Sequence, residues 1–220
     1  MKNLILSFLF LTGLLISSQT SFAHCDTKDG PVVAAAQKAI EQNNINYVLI
    51  WVHPADEKEI KKTFGLTMKV REFSPEAKTL ADNYFFETVV RPHRSGEGIP
   101  YTGVKPSGTP IDGKILAADK SIAVGNLTPL NDLVPKDRFA ELKKRFEKVM
   151  SLKNYDVNNV GAGREYVEAY VQFFHFAEGE GEHNLSHIEE GRHLEHLPWL
   201  LSGILLITSV SFAILYYRKK

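Results

Sequence analysis

Two stretches decide the fold: FAELKKRFEKV at residues 139–149 and YVEAYVQFFHFA at residues 166–177. In both, apolar side chains recur three or four residues apart, which is the spacing of one face of an α-helix. Both stretches are therefore predicted to be amphipathic helices with a buried face. The residues on those faces are Phe139, Leu142, Phe146 and Val149, and then Tyr166, Tyr170, Phe173 and Ala177.

Proline-containing signals mark three further helix starts, because proline is tolerated in the first turn of a helix. The run INYVLIWV at residues 45–52 fits either a strand or a short buried helix. A single strand without a partner would be unstable. We therefore predict an all-α body, a bundle of four or five helices. The three helix starts are Pro31, Pro54 and Ser74-Pro75-Glu76.

Pro92 is predicted to end or kink the helix that begins at Ser74, because proline disfavours the α conformation of the preceding Arg91. The residues that follow are rich in Gly and Pro. Residues 92–114 are therefore predicted to form a long ordered loop, and loops of that length are often functional.

Both ends of the chain carry targeting signals. Residues 1–23 have Lys2 as their only charge, an apolar run, and small residues before a cleavage point after Ala23, which is typical of a secretory signal peptide. The span 197–217 has no formal charge and is about 31 Å long as a helix, enough to cross a bilayer. The basic tail 218–220 then places the C-terminus in the cytoplasm. We expect a single-pass protein whose body, residues 24–177, lies outside the cytoplasm.

Residues 178–196 differ from the body, since they contain six Glu, four His and one Arg. The pairs Glu180/His183 and Glu190/His193 have spacings that place two metal ligands on one helix face. A solvated juxtamembrane linker and a low-affinity metal trap both fit this composition, and these alternatives stay open.

Composition excludes several classes of protein. The 26 Lys plus Arg balance 26 Asp plus Glu, so nothing favours a nucleic-acid partner. One Cys excludes a disulfide scaffold. The sequence also lacks the motifs of a nucleophile elbow, a phosphate loop, a c-type haem site or a zinc ribbon. The biochemical activity, any substrate and the oligomeric state are not indicated by the sequence.

The start of the body is the first candidate metal site. Cleavage after Ala23 would leave His24 with a free α-amine, next to Cys25. An amine, an amide, an imidazole and a thiolate within two residues bind Ni(II) or Cu(II) in a square-planar arrangement, which Asp26 or Asp29 would complete. Cys25 has no intramolecular partner, so pairing with a second copy in a homodimer is the alternative. A lipoprotein anchor is disfavoured because His24 precedes the cysteine.

Several motifs of the body resemble an uncharacterised family of exported bacterial domains. The resemblance covers nearly the whole body and implies export, but it implies no particular activity. The motifs are HCDT at residues 24–27, DGP at 29–31, YFFETVVR at 84–91, PYTG at 100–103 and GREYVEAY at 163–170.

A shorter resemblance concerns His24-Cys25-Asp26 followed by Gly30, which is similar to the N-terminal hook of nickel superoxide dismutase. It implies that the amine, an amide, the His24 imidazole and the Cys25 thiolate hold the metal. Asp29 stands where that family has a second cysteine. A carboxylate is a harder ligand and would not tune a nickel redox couple in the same way.

Three residues further along the chain are additional candidate ligands. Glu87 is four residues from Arg91, so the two are expected to form a local ion pair. His93 follows the predicted kink and could reach back toward the end of the bundle. His175 lies on the helix face opposite the Tyr/Phe stripe. A small-ligand site in the 92–114 loop, with Arg91, His93, Arg94 and Tyr101, is a further reading.

Two functions therefore stay open. The first is an extracytoplasmic domain that binds a transition metal through its His24–Cys25 start for metal handling or redox chemistry. The second is a non-catalytic helical interaction module tethered to the membrane. The first requires a free His24 amine, so any residue left ahead of His24 should abolish tight binding, and the second is indifferent to such an extension.

Overall fold

The structure, a computed structural model, describes residues 24–179. These residues form seven α-helices and three short 3-10 turns, and within them the only strand-like pairing is a bridge between Thr27 and Lys105. The prediction of an all-α body is confirmed, while four or five helices was too low a number. The helices are α1 Pro31–Glu41, α2 Asn46–Leu49, α3 Glu57–Val70, α4 Pro75–Gly96, α5 Gly113–Val124, α6 Phe139–Leu152 and α7 Val160–Glu178.

The periodic stretches fold as expected. In α6 the side chains of Leu142, Phe146 and Val149 are buried, and they pack on the buried face of α7. The rings of Phe146 and Phe173 have centroids 5.7 Å apart. Burying an aromatic or aliphatic side chain contributes about 1.5–3 kcal/mol, so these two faces supply much of the stability of the bundle.

The ambiguous run 45–52 is helical, not extended. It forms α2 and the turn that follows, and Val48 to Val52 are all buried. The run packs closely against the start of α7, at Gly163. A Cβ atom on Gly163 would overlap the Ile50 side chain and lie 3.0 Å from the Tyr155 ring.

Helix α4 starts where the sequence predicts, with the Ser74 hydroxyl accepting a hydrogen bond from the Ala77 N–H at 3.1 Å. Its end was predicted wrongly. The helix continues through Pro92 to Gly96, and the loop begins only after it. Proline inside a helix costs about 3 kcal/mol. Contacts of the buried His93 and Arg94, described below, hold the last turn in place and offset this cost.

Helices α3 and α4 form an antiparallel pair that two ion pairs join. Arg71 meets Asp82 at 2.9 Å, and Arg91 meets Glu59 at 2.8 Å. The expected local pair between Arg91 and Glu87 is therefore replaced by a contact between helices, because Glu59 of α3 lies within reach of the same guanidinium.

No helix within residues 24–179 is long and apolar enough to cross a bilayer. The predicted signal peptide 1–23, the transmembrane span 197–217, the tail 218–220 and all of the His-rich linker except Glu178 and Gly179 lie outside the described residues.

Candidate metal centre

Residues 24–30, here called the hook, are fixed to the loop that follows α4. Thr27 forms a parallel bridge with Lys105. The Lys105 N–H donates to the Asp26 carbonyl at 2.7 Å, and the Lys28 N–H donates to the Lys105 carbonyl at 3.0 Å. These backbone hydrogen bonds hold the segment that carries Cys25 against the rest of the domain.

Gly30 closes the hook on itself. Its N–H donates to the Thr27 carbonyl at 3.0 Å, and the Thr27 hydroxyl donates to the His24 carbonyl at 3.2 Å. A Cβ atom at Gly30 would overlap the His24 carbonyl oxygen and lie 3.0 Å from the Thr27 hydroxyl. The absence of a side chain is therefore what allows this tight turn just before α1.

The hook places Cys25 beside the last turn of α4. One ligand atom from each of Cys25, His93 and Glu97 lies within 4.8 Å of the other two. A tetrahedral Zn(II) ion needs ligand atoms roughly 3.3–3.8 Å apart, given bonds of about 2.0–2.3 Å. Side-chain adjustments of about 1 Å would therefore close the three groups on one ion. Thiolate, imidazole and carboxylate are all ligands of zinc-like metals.

His93 is held in the orientation that metal binding requires. Its Nδ1 lies 2.9 Å from the Trp51 carbonyl oxygen, which can only accept, so Nδ1 carries the proton. Its Nε2 then presents a lone pair toward the centre. Nε2 lies 3.4 Å from Glu97 Oε1, and no described group meets it with hydrogen-bond geometry. A backbone carbonyl that fixes the tautomer of a histidine in this way is a common support for a metal ligand.

Glu97 is oriented by a neighbour. Its Oε2 accepts a hydrogen bond from the Arg94 guanidinium at 2.9 Å, which leaves Oε1 on the side of His93. Arg94 Nε also lies 3.8 Å from Asp26 Oδ2. All of these side chains are at least nine-tenths buried. Asp26 thus supports Arg94 and through it the carboxylate of Glu97.

Burial is the largest influence on the Cys25 thiol, and it raises the pKa of that thiol well above its ordinary value. The Glu97 carboxylate raises the pKa further, whereas Arg94 acts in the opposite direction. The thiol is therefore protonated at neutral pH, and a bound cation would have to displace that proton.

A cavity of about 30 Å³, partly open to solvent, adjoins Cys25 and Glu97. Two of the three grouped ligands, Cys25 and Glu97, line this cavity, and His93 does not. Both apolar and polar side chains line it. The lining residues are His24, Cys25, Arg94, Glu97, Ile115, Tyr170, Val171, Phe174, His175 and Glu178.

His24 lies on the far wall of this cavity and not among the three grouped ligands. Its ring stacks on Phe174 with centroids 5.6 Å apart, and its Nε2 lies 2.8 Å from Asp119 Oδ2. The Tyr170 hydroxyl donates to the other carboxylate oxygen of Asp119 at 2.9 Å. Burial first, and Asp119 second, raises the pKa of Tyr170 well above its ordinary value.

Three predicted ligands do not belong to the group formed by Cys25, His93 and Glu97. The Asp29 carboxylate accepts hydrogen bonds from the Ser107 hydroxyl and the Gly108 N–H, both at 2.7 Å, and these lower its pKa. Glu87 is exposed on α4. His175 lines the cavity, 3.8 Å from Glu178, but it does not join the three grouped ligands.

Of the four residues proposed for a small-ligand site, His93 and Arg94 face the centre and Arg91 pairs with Glu59. Glu97 was not predicted as a ligand, although its spacing from His93, one helical turn, would have pointed to it if α4 had been continued past Pro92.

The chain belongs to a protein family of unknown function, DUF6448, which matches residues 29–176. His93 and Glu97 lie inside the matched range, while the HCDT motif with Cys25 precedes it. The curated proteins contain no match to this chain, and neither do the solved structures.

Proposed function

We propose that this protein binds a transition-metal ion through Cys25, His93 and Glu97, and that it does so outside the cytoplasm. One observation carries the proposal: three ligand atoms of different chemistry, from two separate segments, lie within 4.8 Å of one another. The tautomer of His93 and the hydrogen bond from Arg94 to Glu97 support it, because they leave His93 Nε2 and Glu97 Oε1 next to each other at 3.4 Å.

The three ligand types limit which metal ions the centre would bind. A thiolate and an imidazole favour Zn(II), Co(II), Ni(II) or Cu(II) over Mg(II) or Ca(II), which prefer oxygen ligands. Three protein ligands leave at least one coordination position for water or another small molecule, as in catalytic zinc sites. The ion would supply Lewis acidity at this position, and the protein would fix its ligands and exclude bulk water.

This centre differs from the N-terminal metal site that the sequence suggested, which is called the amine hook here to distinguish it from the segment 24–30. The amine hook uses the processed N-terminus of His24 and binds Ni(II) or Cu(II), and it requires nothing from α4. The proposed centre uses the Cys25 thiolate with two side chains of α4, and it requires no free amine. The two centres share only Cys25, so they can be told apart by substitution.

The cellular placement of the centre rests on the sequence. A signal peptide at residues 1–23 would export the domain, and a span at 197–217 would anchor it to the membrane with its C-terminus in the cytoplasm. In that setting the acidic, His-rich residues 178–196 would lie between the domain and the membrane.

The test is metal binding by the chain from His24 to Lys220, which cleavage after Ala23 would leave, in detergent and measured with Zn(II), Co(II), Ni(II) and Cu(II). We expect one ion per chain, with affinity rising with pH because the thiol must lose its proton. Cys25→Ser, His93→Gln and Glu97→Gln should each weaken binding at least about 100-fold. Glu87→Gln is the matched control on the exposed face of α4, and it should change affinity less than about twofold.

A chain with one extra residue ahead of His24 distinguishes the two centres. The proposed centre predicts unchanged affinity in this variant and loss in His93→Gln. The opposite pattern would assign the metal to the amine hook. Absence of stoichiometric binding for all four metals would refute both.

A further inference from the structure

We infer that the cavity beside Cys25 and Glu97 receives a small inorganic ligand of two or three heavy atoms, bound to the metal at its remaining coordination position. This inference rests on the proposed function, since it places the ligand on the ion held by Cys25, His93 and Glu97. It goes beyond that function because it names the class of molecule that the centre accepts.

The position of the cavity is the first reason. Two of the three metal ligands, Cys25 and Glu97, line it, whereas His93 approaches from outside it. The coordination position left open by the three protein ligands therefore faces the cavity.

The volume of the cavity is the second reason. About 30 Å³ is two to three times the roughly 10–15 Å³ that one water molecule needs. A water molecule, or a linear ligand of two or three atoms, fits this space. A five-membered ring or an amino acid exceeds this volume, so we expect the coordination position to select the smaller ligands.

The walls of the cavity are the third reason. Ile115, Val171 and Phe174 supply an apolar side, all at most 7% exposed. On the polar side, the side chains already contact one another or Asp119: the Tyr170 hydroxyl donates to Asp119, His24 lies 2.8 Å from the same carboxylate, Arg94 donates to Glu97, and His175 lies 3.8 Å from Glu178. The cavity thus offers little to orient a large polar substrate, and the metal ion itself would supply the principal attraction for a small one.

The experiment compares two probes on the full-length protein loaded with Co(II), whose visible spectrum reports its coordination. Azide has three heavy atoms in a line, and imidazole has five in a ring. We expect azide to change the spectrum in a saturable manner, and imidazole to leave it unchanged at ten times the azide concentration that gives half saturation.

Enlarging the cavity should allow imidazole to reach the metal. Ile115→Ala removes part of the apolar wall, and we expect imidazole affinity to rise at least tenfold. Val149→Ala is the matched control, because Val149 is fully buried in α6 but does not line the cavity. It should leave both probes unaffected. If Ile115→Ala does not fold, the azide and imidazole comparison on the unmodified protein decides.

The outcomes separate this inference from the proposed function. Stoichiometric Co(II) binding with no response to azide would refute the small-ligand site and leave the metal centre intact. Imidazole binding to the unmodified protein as tightly as azide would refute the size limit. Failure to bind Co(II) or any of the other three metals would refute the metal centre, and this inference with it.

Discussion

Replacement of Gly30 by alanine tests whether the hook, and not the helices alone, positions the metal centre. The new Cβ atom would overlap the His24 carbonyl oxygen, and separating the two requires a backbone displacement of about 1 Å. The φ angle of Gly30 is −80°, which alanine adopts readily, so the effect is a steric one. The displaced segment is the one that carries Cys25.

Two quantities should change together in Gly30→Ala. Overpacking of this kind costs about 1–3 kcal/mol, so the free energy of unfolding measured by urea titration should fall by that amount. Metal affinity should fall at least tenfold, because Cys25 moves relative to His93 and Glu97. The affinity is measured by Co(II) titration of the folded protein without denaturant, separately from the urea titration.

Gly65→Ala is the matched control. Gly65 lies in α3. Apart from its chain neighbours and the backbone of its own helix, no atom lies within 4 Å of the position that a Cβ atom would take there. Alanine is the better helix former, so this variant should be more stable by about 0.5–1 kcal/mol and should bind metal normally. If Gly30→Ala matches the unmodified protein in both stability and affinity, the argument that the turn constrains Cys25 is wrong.

Three further predictions concern the helical framework. Gly163→Ala should lower the free energy of unfolding by about 1–3 kcal/mol in urea titrations, because the methyl group overlaps the isoleucine that follows α2. Ser74→Ala should cost about 1 kcal/mol in the same assay through loss of the α4 cap, and a change below 0.3 kcal/mol, roughly, would contradict the capping role. Hydrogen bonds from Lys61 and Arg164 lower the pKa of Glu57, so this carboxylate stabilises the fold above its ordinary pKa of about 4.3 and loses that contribution as pH falls through the lower folded value. Unfolding measured from pH 7 to pH 3 should therefore show a shallower loss of stability in Glu57→Gln than in the unmodified protein, and equal slopes would refute this.

The parts of the fold that the sequence predicted are those where local patterns and packing agree. The stripe of Leu142, Phe146 and Val149 has the helical period, and burial of one face satisfies both the local preference and the core. The run 45–52 has no such pattern, since nearly every residue in it is apolar. Its helical state follows from the close approach of α7 at Gly163, a contact more than a hundred residues away that no local pattern reports.

One local rule, applied at Pro92, concealed one of the three candidate ligands, Glu97, and its relation to His93. Ending α4 there assigned His93 and Glu97 to a loop, where their spacing has no geometric meaning. In the continuous helix they are one turn apart and share a face. The contacts that offset the proline are mostly tertiary: the Trp51 carbonyl accepts from His93, and Asp26 lies 3.8 Å from Arg94, which also pairs locally with Glu97. The sequence contained the ligands but not the contacts that continue the helix.

The arrangement of His93 and Glu97 fits the proposed metal ion. With Nδ1 committed to the Trp51 carbonyl, Nε2 and Glu97 Oε1 face each other 3.4 Å apart, and a cation between them would satisfy both lone pairs. That spacing is close to what two ligands of one tetrahedral ion require. The Cys25 sulfur lies within 4.8 Å and would complete the proposed set.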